Sequence, residues 1–303
     1  MNYKDIIRSR KTRIKIMQFL SFVPDKLMLK IQYRIKMGRK LNLKNPQRYT
    51  EKLQWYKLYY KNPLMTQCVD KYDVREYLTQ RGFGEFLNEI YGVYENPSEI
   101  NFDLLPESFV IKDTLGGGGV SVIVVSDKTK IDINKIQMQL QEWVNEPIDA
   151  KSPGREWVYD GKRHRILIEK NLCSNEDTRD LTDYKFYCFN GKCEYVFVMK
   201  NRVLGQTAKK GIFDRDFRLL PYVYAEDDPL DEEIRKPNNY SKMVEVAEEI
   251  SKSFPHARID LYNIDGRILF GEITFFPGSG YLIWKPEEFD YEVGKKFNLV
   301  LMK

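Results

Sequence analysis

Hydrophobic positions change their period along the chain. In the first 44 residues Ile6, Ile7, Ile14, Met17, Phe19, Leu20, Leu27, Leu29, Ile31 and Ile35 alternate with lysines and arginines at helical spacing, the pattern of basic amphipathic helices. Asn45-Pro46 closes that segment, and Thr50-Glu51-Lys52 opens an aromatic-rich helix through Trp55, Leu58 and Tyr59. Asn62-Pro63 reads as its break. A second helix is expected over 69–81, with Val69, Tyr72, Tyr77 and Leu78 inward and Gly82 as its stop. Tyr91 to Val93 reads as a short strand.

After Leu105-Pro106 the period falls to two. Phe109 to Lys112, Val120 to Val125 and Ile166 to Glu169 are expected strands, with a helix over 132–144 between the last two. Asp183 to Phe189 and Glu194 to Met199 alternate across Asn190-Gly191, a hairpin signature. Ser241 to Ser253 shows a helical face of Met243, Val246, Ala247 and Ile250. Arg258 to Ile264 and Ile268 to Thr274 make a last hairpin, and Pro286 to Phe297 a closing helix with Pro in its first turn. Helices followed by hairpin-dominated strands imply an α+β fold with antiparallel sheets rather than a doubly wound parallel one.

Charge is unevenly placed along these 303 residues. Residues 1–44 hold 13 Lys/Arg against two acids, a net of +11; the whole chain is +5, so residues 45–303 carry −6. The basic leader either packs on the body with solvated lysines, or meets an anionic membrane surface or a polyanionic substrate. Nucleic acid is disfavoured, because no RNP aromatic pattern or finger spacing occurs. No window approaches 18 uncharged apolar residues and no secretory signal pattern is present. The four cysteines lack CxxC spacing, which suits reduced thiols in a cytoplasmic protein. Two histidines leave little room for a His-rich metal site or a Ser-His-Asp mechanism.

Three clusters remain as candidate chemistry. Gly116 to Gly119 joins two apolar strands, where backbone N–H groups can approach phosphate oxygens; a flexible hairpin tip is the plainer reading. Lys112 ends the strand before it. Lys185 shares a strand face with Asp183 and Tyr187, either as an anion ligand or as an edge-strand lysine that discourages aggregation. Arg258 and Asp260 share a face of their arm of the last hairpin by period two, and so do Glu272 and Thr274 on theirs. A three-residue loop Asp265-Gly266-Arg267 sets Asp260 opposite Glu272 and Arg258 opposite Thr274. A two-residue Asp265-Gly266 turn puts the two acids on opposite faces unless a bulge corrects the register. Facing carboxylates repel, and a Mg²⁺ held with substrate phosphates would relieve them; a surface acid pair bridged to Arg258 is the alternative. Pro277-Gly278-Ser279-Gly280 would bring Ser279 beside that metal.

This order of motifs resembles the ATP-grasp superfamily. Glu51-Lys52, Asp70-Lys71-Tyr72, Val74-Arg75-Glu76, the Leu105 to Lys112 run and Gly271-Glu272-Ile273-Thr274 resemble its teichuronopeptide-biosynthesis (TupA-like) branch, found among polysaccharide-synthesis proteins. The resemblance covers about Asn45 to Gly280 and implies two α+β subdomains clamping ATP. Residues 1–45 would then be a basic helical leader, 46–105 an N-terminal helical region, 106–172 the first subdomain and 173–303 the second, with the metal site. By resemblance Lys112 and Lys185 hold the phosphates, Gly116, Gly117, Gly118 and Gly119 close over them, and Glu169, Lys170 and Leu172 form the adenine hinge. Glu176 would take the ribose, Asp260, Glu272 and Thr274 Mg²⁺, Arg258 and Lys185 the transferring phosphoryl, and Ser279 the substrate. Many relatives carry Asn where this chain has Thr274.

The activity so implied is ATP-dependent carboxylate–amine ligation through an acyl phosphate. The acceptor would be a uronic acid or other carboxylated sugar of a capsular or cell-wall polysaccharide, and the donor a small amine. The protein would work in the cytoplasm or at the inner face of the membrane. A phosphotransferase or glycosyltransferase of the same pathway, or a non-catalytic nucleotide- or polysaccharide-binding module, are the alternatives.

Overall fold

A computed structural model describes residues 10–117, 119–146, 151–173, 181–200, 209–225, 228–230 and 233–299. The leader forms α1 (Arg10–Phe19) and α2 (Asp25–Met37), the latter ending at Gly38 with φ +69°. Next come α3 (Tyr49–Tyr59), α4 (Pro63–Cys68) and α5 (Val74–Gln80). The expected break at Asn62-Pro63 is in fact a helix start. Asn62 accepts a hydrogen bond from the Leu64 N–H, and Pro63 occupies the first turn, where its missing N–H costs nothing. The expected helix over 69–81 correspondingly begins only at Val74, because the Asp70 carboxylate takes the N–H groups of Tyr72 and Asp73 and holds a turn there.

The first sheet contains β1 (Ile90–Tyr94), β2 (Phe109–Asp113), β3 (Val122–Val125) and β4 (Ile166–Lys170), antiparallel in the order β1-β4-β2-β3. Helix α6 (Ile133–Val144) lays Ile136 and Leu140 on Phe109, Ile111, Ile166 and Ile168. The second sheet has the order β11-β10-β5-β6-β7-β9, from β5 (Asp183–Phe189), β6 (Lys192–Lys200), β7 (Lys209–Asp214), β9 (Asp228–Pro229), β10 (His256–Ile264) and β11 (Arg267–Thr274). Its pairings are antiparallel except the short parallel β7–β9 contact. Helix α7 (Tyr240–Ser251) covers one face with Met243, Val246, Ala247 and Ile250. A two-stranded pairing of β8 (Val223–Tyr224) with β12 (Trp284–Lys285), then α8 (Glu288–Lys296), complete the described elements. Pro286 thus precedes α8 instead of lying in its first turn.

Two turns fix the site. Asn190 and Gly191 have φ of +51° and +75°, as a two-residue hairpin requires. Asp265 and Gly266 do the same at +51° and +84°, so the last hairpin turns on two residues and not three. A bulge repairs the register. Leu261 faces Phe270, Asp260 faces Glu272, and Gly271 is left unpaired between them.

Both histidines are structural. His256 is fully buried, with its ring nitrogens within 2.8 Å of the Tyr49 hydroxyl and 2.9 Å of the Cys188 carbonyl. Burial pushes its pKa down to about 3, reinforced by Arg258 against the pull of the Cys188 carbonyl. The folded ring stays neutral while an unfolded one charges near its ordinary 6.5, so stability is lost as pH falls from about 6.5 toward 3. His256→Gln should remove part of that dependence. The melting-temperature gap between wild type and variant should narrow from pH 7 to pH 4, and a constant gap would contradict the assignment.

Candidate active site

Sheet register brings the charged residues of three strands into two rows on one face. Asp260 in β10 stands between Lys185 in β5 and Glu272 in β11. Arg258, two residues earlier, stands between Tyr187 and Thr274. The Lys185 ammonium donates to Asp183 Oδ2 at 2.6 Å and Asp260 Oδ2 at 2.5 Å. Arg258 grips both Asp260 oxygens at 2.7 Å and donates to Glu272 Oε1 at 2.8 Å, with the Thr274 hydroxyl donating to that same oxygen at 3.2 Å. Buried charges are tolerated here because each has a geometrically matched partner. Burial works against ionised Glu272, yet Lys71, Arg258 and Lys185 hold its pKa at about 2. Burial also raises the Asp260 carboxyl, opposed by Arg258 and Lys185. Arg258 rises above its ordinary range: burial opposes its charge, but Asp260, Tyr187 and Glu272 outweigh it.

A cleft of about 800 Å³ separates this face from the first sheet. Val110, Val122 and Val124 on one side and Met199, Ile212 and Trp284 on the other give it an apolar sleeve. Lys112 points into the cleft from β2 and is held by the Glu169 carboxylate of β4. Glu169 therefore acts through its side chain as the anchor of that lysine, while Lys170, Asn171 and Leu172 line the cleft beyond it. Gly116, Gly117 and Gly119 line the mouth, and Gly118 lies outside the described residues, as does Glu176. A Cβ at Gly116 would meet Ser121 Cβ at 2.6 Å, so a side chain there would force this turn open. Asp113 secures the loop's start by accepting from Leu115 N–H at 3.0 Å and pairing with His164 Nδ1 at 2.9 Å. Burial opposes a charge on His164, but Asp113 raises its pKa.

The remaining wall includes residues to which sequence reasoning assigned no role. Lys71 donates to the Gly116 carbonyl and is the strongest of the cations holding Glu272 ionised. Its only signal lay in the Asp70-Lys71-Tyr72 motif. Lys57 is fully buried in α3 and donates to Gly154 O at 2.7 Å, Ser279 O at 2.8 Å and Ser279 Oγ at 3.1 Å. Burial brings its pKa down to about 7, with Glu156 opposing and Lys36 adding to the shift. Gly278, Ser279 and Gly280 all have positive φ, a conformation that the non-glycine Ser279 keeps with Lys57 clamped to it. Glu156 and Tyr159 line the same end, and Glu156 makes no ion pair among the described residues. Gly154 permits the close approach, since a Cβ there would sit 2.1 Å from Ser279 Oγ.

The cleft thus gathers Lys112, Gly116, Gly117, Gly119, Glu169, Lys170, Leu172, Lys185, Arg258, Asp260, Glu272, Thr274 and Ser279 along one wall system. Among the described residues no group of three or more His, Cys, Asp or Glu side chains forms a metal cage. Asp260, Glu272 and the Thr274 hydroxyl are an all-oxygen set, which fits Mg²⁺ completed by substrate phosphates better than a softer ion held by protein alone. No helix among the described residues is long and apolar enough to cross a membrane, and all four cysteines are free thiols.

A family model described as TupA-like ATPgrasp matches residues 51–298. No curated protein matches the chain. Among solved structures, D-alanine–D-alanine ligase from Bacillus anthracis is 19% identical, with a TM-score of 0.48 over 78% of this chain and 66% of that one. The biotin carboxylase domain of 2-oxoglutarate carboxylase from Hydrogenobacter thermophilus, in complex with MgADP, is 12% identical, with 0.41 over 69% and 40%. An ATP-grasp RimK domain protein from Sphaerobacter thermophilus is 11% identical, with 0.39 over 78% and 68%. The chain spans 55–66% of the length of the first D-alanine–D-alanine ligases it resembles.

Proposed function

The chain belongs to the TupA-like ATP-grasp family, and on that premise we propose that it is an ATP- and Mg²⁺-dependent carboxylate–amine ligase. The observation that carries this reading is the row Lys185–Asp260–Glu272 with Arg258 beside it, facing a cleft that is apolar at one end and polar at the other. The apolar sleeve takes adenine, and Lys112 and Lys185 draw the phosphates toward the two carboxylates. Asp260 and Glu272 would hold Mg²⁺, which when bound neutralises phosphate charge. Arg258, already oriented by Asp260 and Glu272, meets the γ-phosphoryl as charge develops on it. An acceptor carboxylate at the Ser279 loop attacks that phosphorus, giving an acyl phosphate and ADP. An amine then displaces phosphate from the acyl carbon, loses a proton and leaves an amide. Such chemistry depends on positioned cations and not on a protein nucleophile, which agrees with the structural roles of both histidines.

The acceptor is a uronic acid or other carboxylated sugar of a surface polysaccharide, a class carried by the resemblance to the polysaccharide branch. Saturating Mg²⁺-ATP, at about 100 times Kd, should stabilise the fold by about 2.7 kcal/mol. For a chain this long that is a rise in Tm of about 4–8 °C. Lys185→Ala should remove most of the rise. An unchanged wild-type melting curve would remove the nucleotide from the proposal. Incubation with ATP, uronic acids and amines, read by mass spectrometry, should then show ADP together with an amide product; nucleotide binding without acceptor-dependent ADP would leave a binding module.

A further inference from the structure

Helix α2 has two apolar faces, and among the described residues only one is covered. Leu29, Tyr33 and Met37 face inward onto Leu41 and Tyr281. On the outward side Leu27, Ile31 and Ile35 form a single row at four-residue spacing, 51%, 44% and 57% exposed. Lys26, Lys30 and Arg34 are exposed alongside, each one residue before a member of that row. Just ahead of the helix, Phe19 and Phe22 are 78% and 75% exposed, their rings edge to face at 6.3 Å. The helix carries one acid, Asp25, and it is tied to Lys151 at 2.8 Å and Arg155 at 3.4 Å.

We propose that this outward face of α2, with Phe19 and Phe22, docks the protein on a bilayer surface bearing anionic lipid headgroups. An apolar row flanked turn by turn by basic residues matches the boundary between acyl chains and headgroups: the apolar side chains enter, and the long cationic ones reach back to phosphate. A soluble polyanion would use the cations and leave Leu27, Ile31, Ile35, Phe19 and Phe22 in water. A second copy would set like charges face to face. The −6 balance of residues 45–303 favours one orientation, leader toward the anionic surface and body away from it. At 13 residues α2 is about 20 Å long, suited to lie in the interface plane and not to span.

The inner face of the helix gives the docking a consequence. Tyr281, directly after the Ser279 loop, donates to Gln32 Oε1 at 2.6 Å, and Gln32 donates to the Pro153 carbonyl at 2.8 Å. The helix therefore rides on the acceptor end of the cleft, and docking brings that end to the surface. This last step rests on the ligase reading; the docking does not.

The test is cosedimentation of the full chain with phosphatidylcholine vesicles with and without about 30% phosphatidylglycerol, at salt of about 0.15 M, where exposed charges are screened beyond about 8 Å. Partitioning should be at least about tenfold stronger on the anionic vesicles, and Leu27→Ser/Ile31→Ser/Ile35→Ser should lose at least about tenfold of it. The Mg²⁺-ATP melting shift of that variant should stay at the wild-type value, which separates failure of docking from failure of the ligase reading. Should the triple variant not fold, Phe19→Ser/Phe22→Ser on the preceding turn should still lose at least about threefold. A tryptophan reporter, Phe22→Trp, should blue-shift on anionic vesicles and not with dextran sulfate. Equal binding to both vesicle types, undiminished binding by a folded apolar variant, or the same blue shift with dextran sulfate would each overturn the proposal.

Discussion

Asp260→Asn should lower acceptor-dependent ADP release by about a thousandfold or more, the scale expected when a metal ligand that also orients a phosphoryl-stabilising arginine is lost. The substitution keeps the shape of the side chain and removes its charge. That charge serves two partners at once: both oxygens accept from Arg258 and one also accepts from Lys185, while the residue pairs with Glu272 across the hairpin. With Asn in place, Arg258 keeps Glu272 and Lys185 keeps Asp183, but the centre of the row is neutral. Removing one partner from a buried ion pair costs about 3–5 kcal/mol, so the variant should also melt at a lower temperature. Activity is therefore to be read well below the variant's Tm, beside circular dichroism showing a native spectrum. Glu272→Gln should lose activity comparably. A folded Asp260→Asn protein releasing ADP at more than a tenth of the wild-type rate would show that the row is structural.

Much of the site was legible because its chemistry lies on strands with strict alternation. Lys112, Lys185, Arg258 and Asp260 each sit in an apolar period-two run, where a charge is conspicuous, and Asn190-Gly191 announces a hairpin whose φ values are then observed. Less legible was whatever tertiary contact decides. The strand Lys209–Asp214 contains two lysines and a glycine and exists because β6 offers it a ladder. Lys57 lies in an aromatic helix where a lysine ordinarily points to solvent. Only the approach of Gly154 and Ser279 buries it. Glu156 and Tyr159 come from the segment between α6 and β4, whose sequence has no period; the cleft gives them their place. The exposed row of α2 was visible as apolar residues, but which face the body covers could be learned only from Tyr33 and Tyr281 meeting on the other side.

The sharpest dependence of the site on one residue is at Gly271. Counting back from the two-residue turn, Ile264 pairs with Arg267 and Leu261 with Phe270, so a regular ladder would next set Asp260 against Gly271. Glu272 would then lie opposite Ile259, on the face that packs against α7, and Thr274 would follow it. Leaving Gly271 unpaired returns Glu272 to Asp260 and Thr274 to Arg258. Glycine suits the position because an added Cβ would lie 3.1 Å from the Asp260 carbonyl oxygen and 3.2 Å from the Tyr262 ring. Gly271→Val crowds both contacts, an overpacking that costs about 1–3 kcal/mol if the bulge survives, and its branched side chain favours the regular ladder. Mg²⁺-ATP affinity should fall by about a hundredfold or more, as both a carboxylate and the hydroxyl leave the cleft face. Deletion of Gly271 is the informative companion. It shortens the arm by the one bulged residue, so the regular ladder itself sets Asp260 against Glu272, and nucleotide binding should survive to within about tenfold of wild type. A valine variant that binds Mg²⁺-ATP normally would show that the bulge does not govern the acid pair; a deletion as damaging as the valine would show that the bulge aims the carboxylates as well as pairing them.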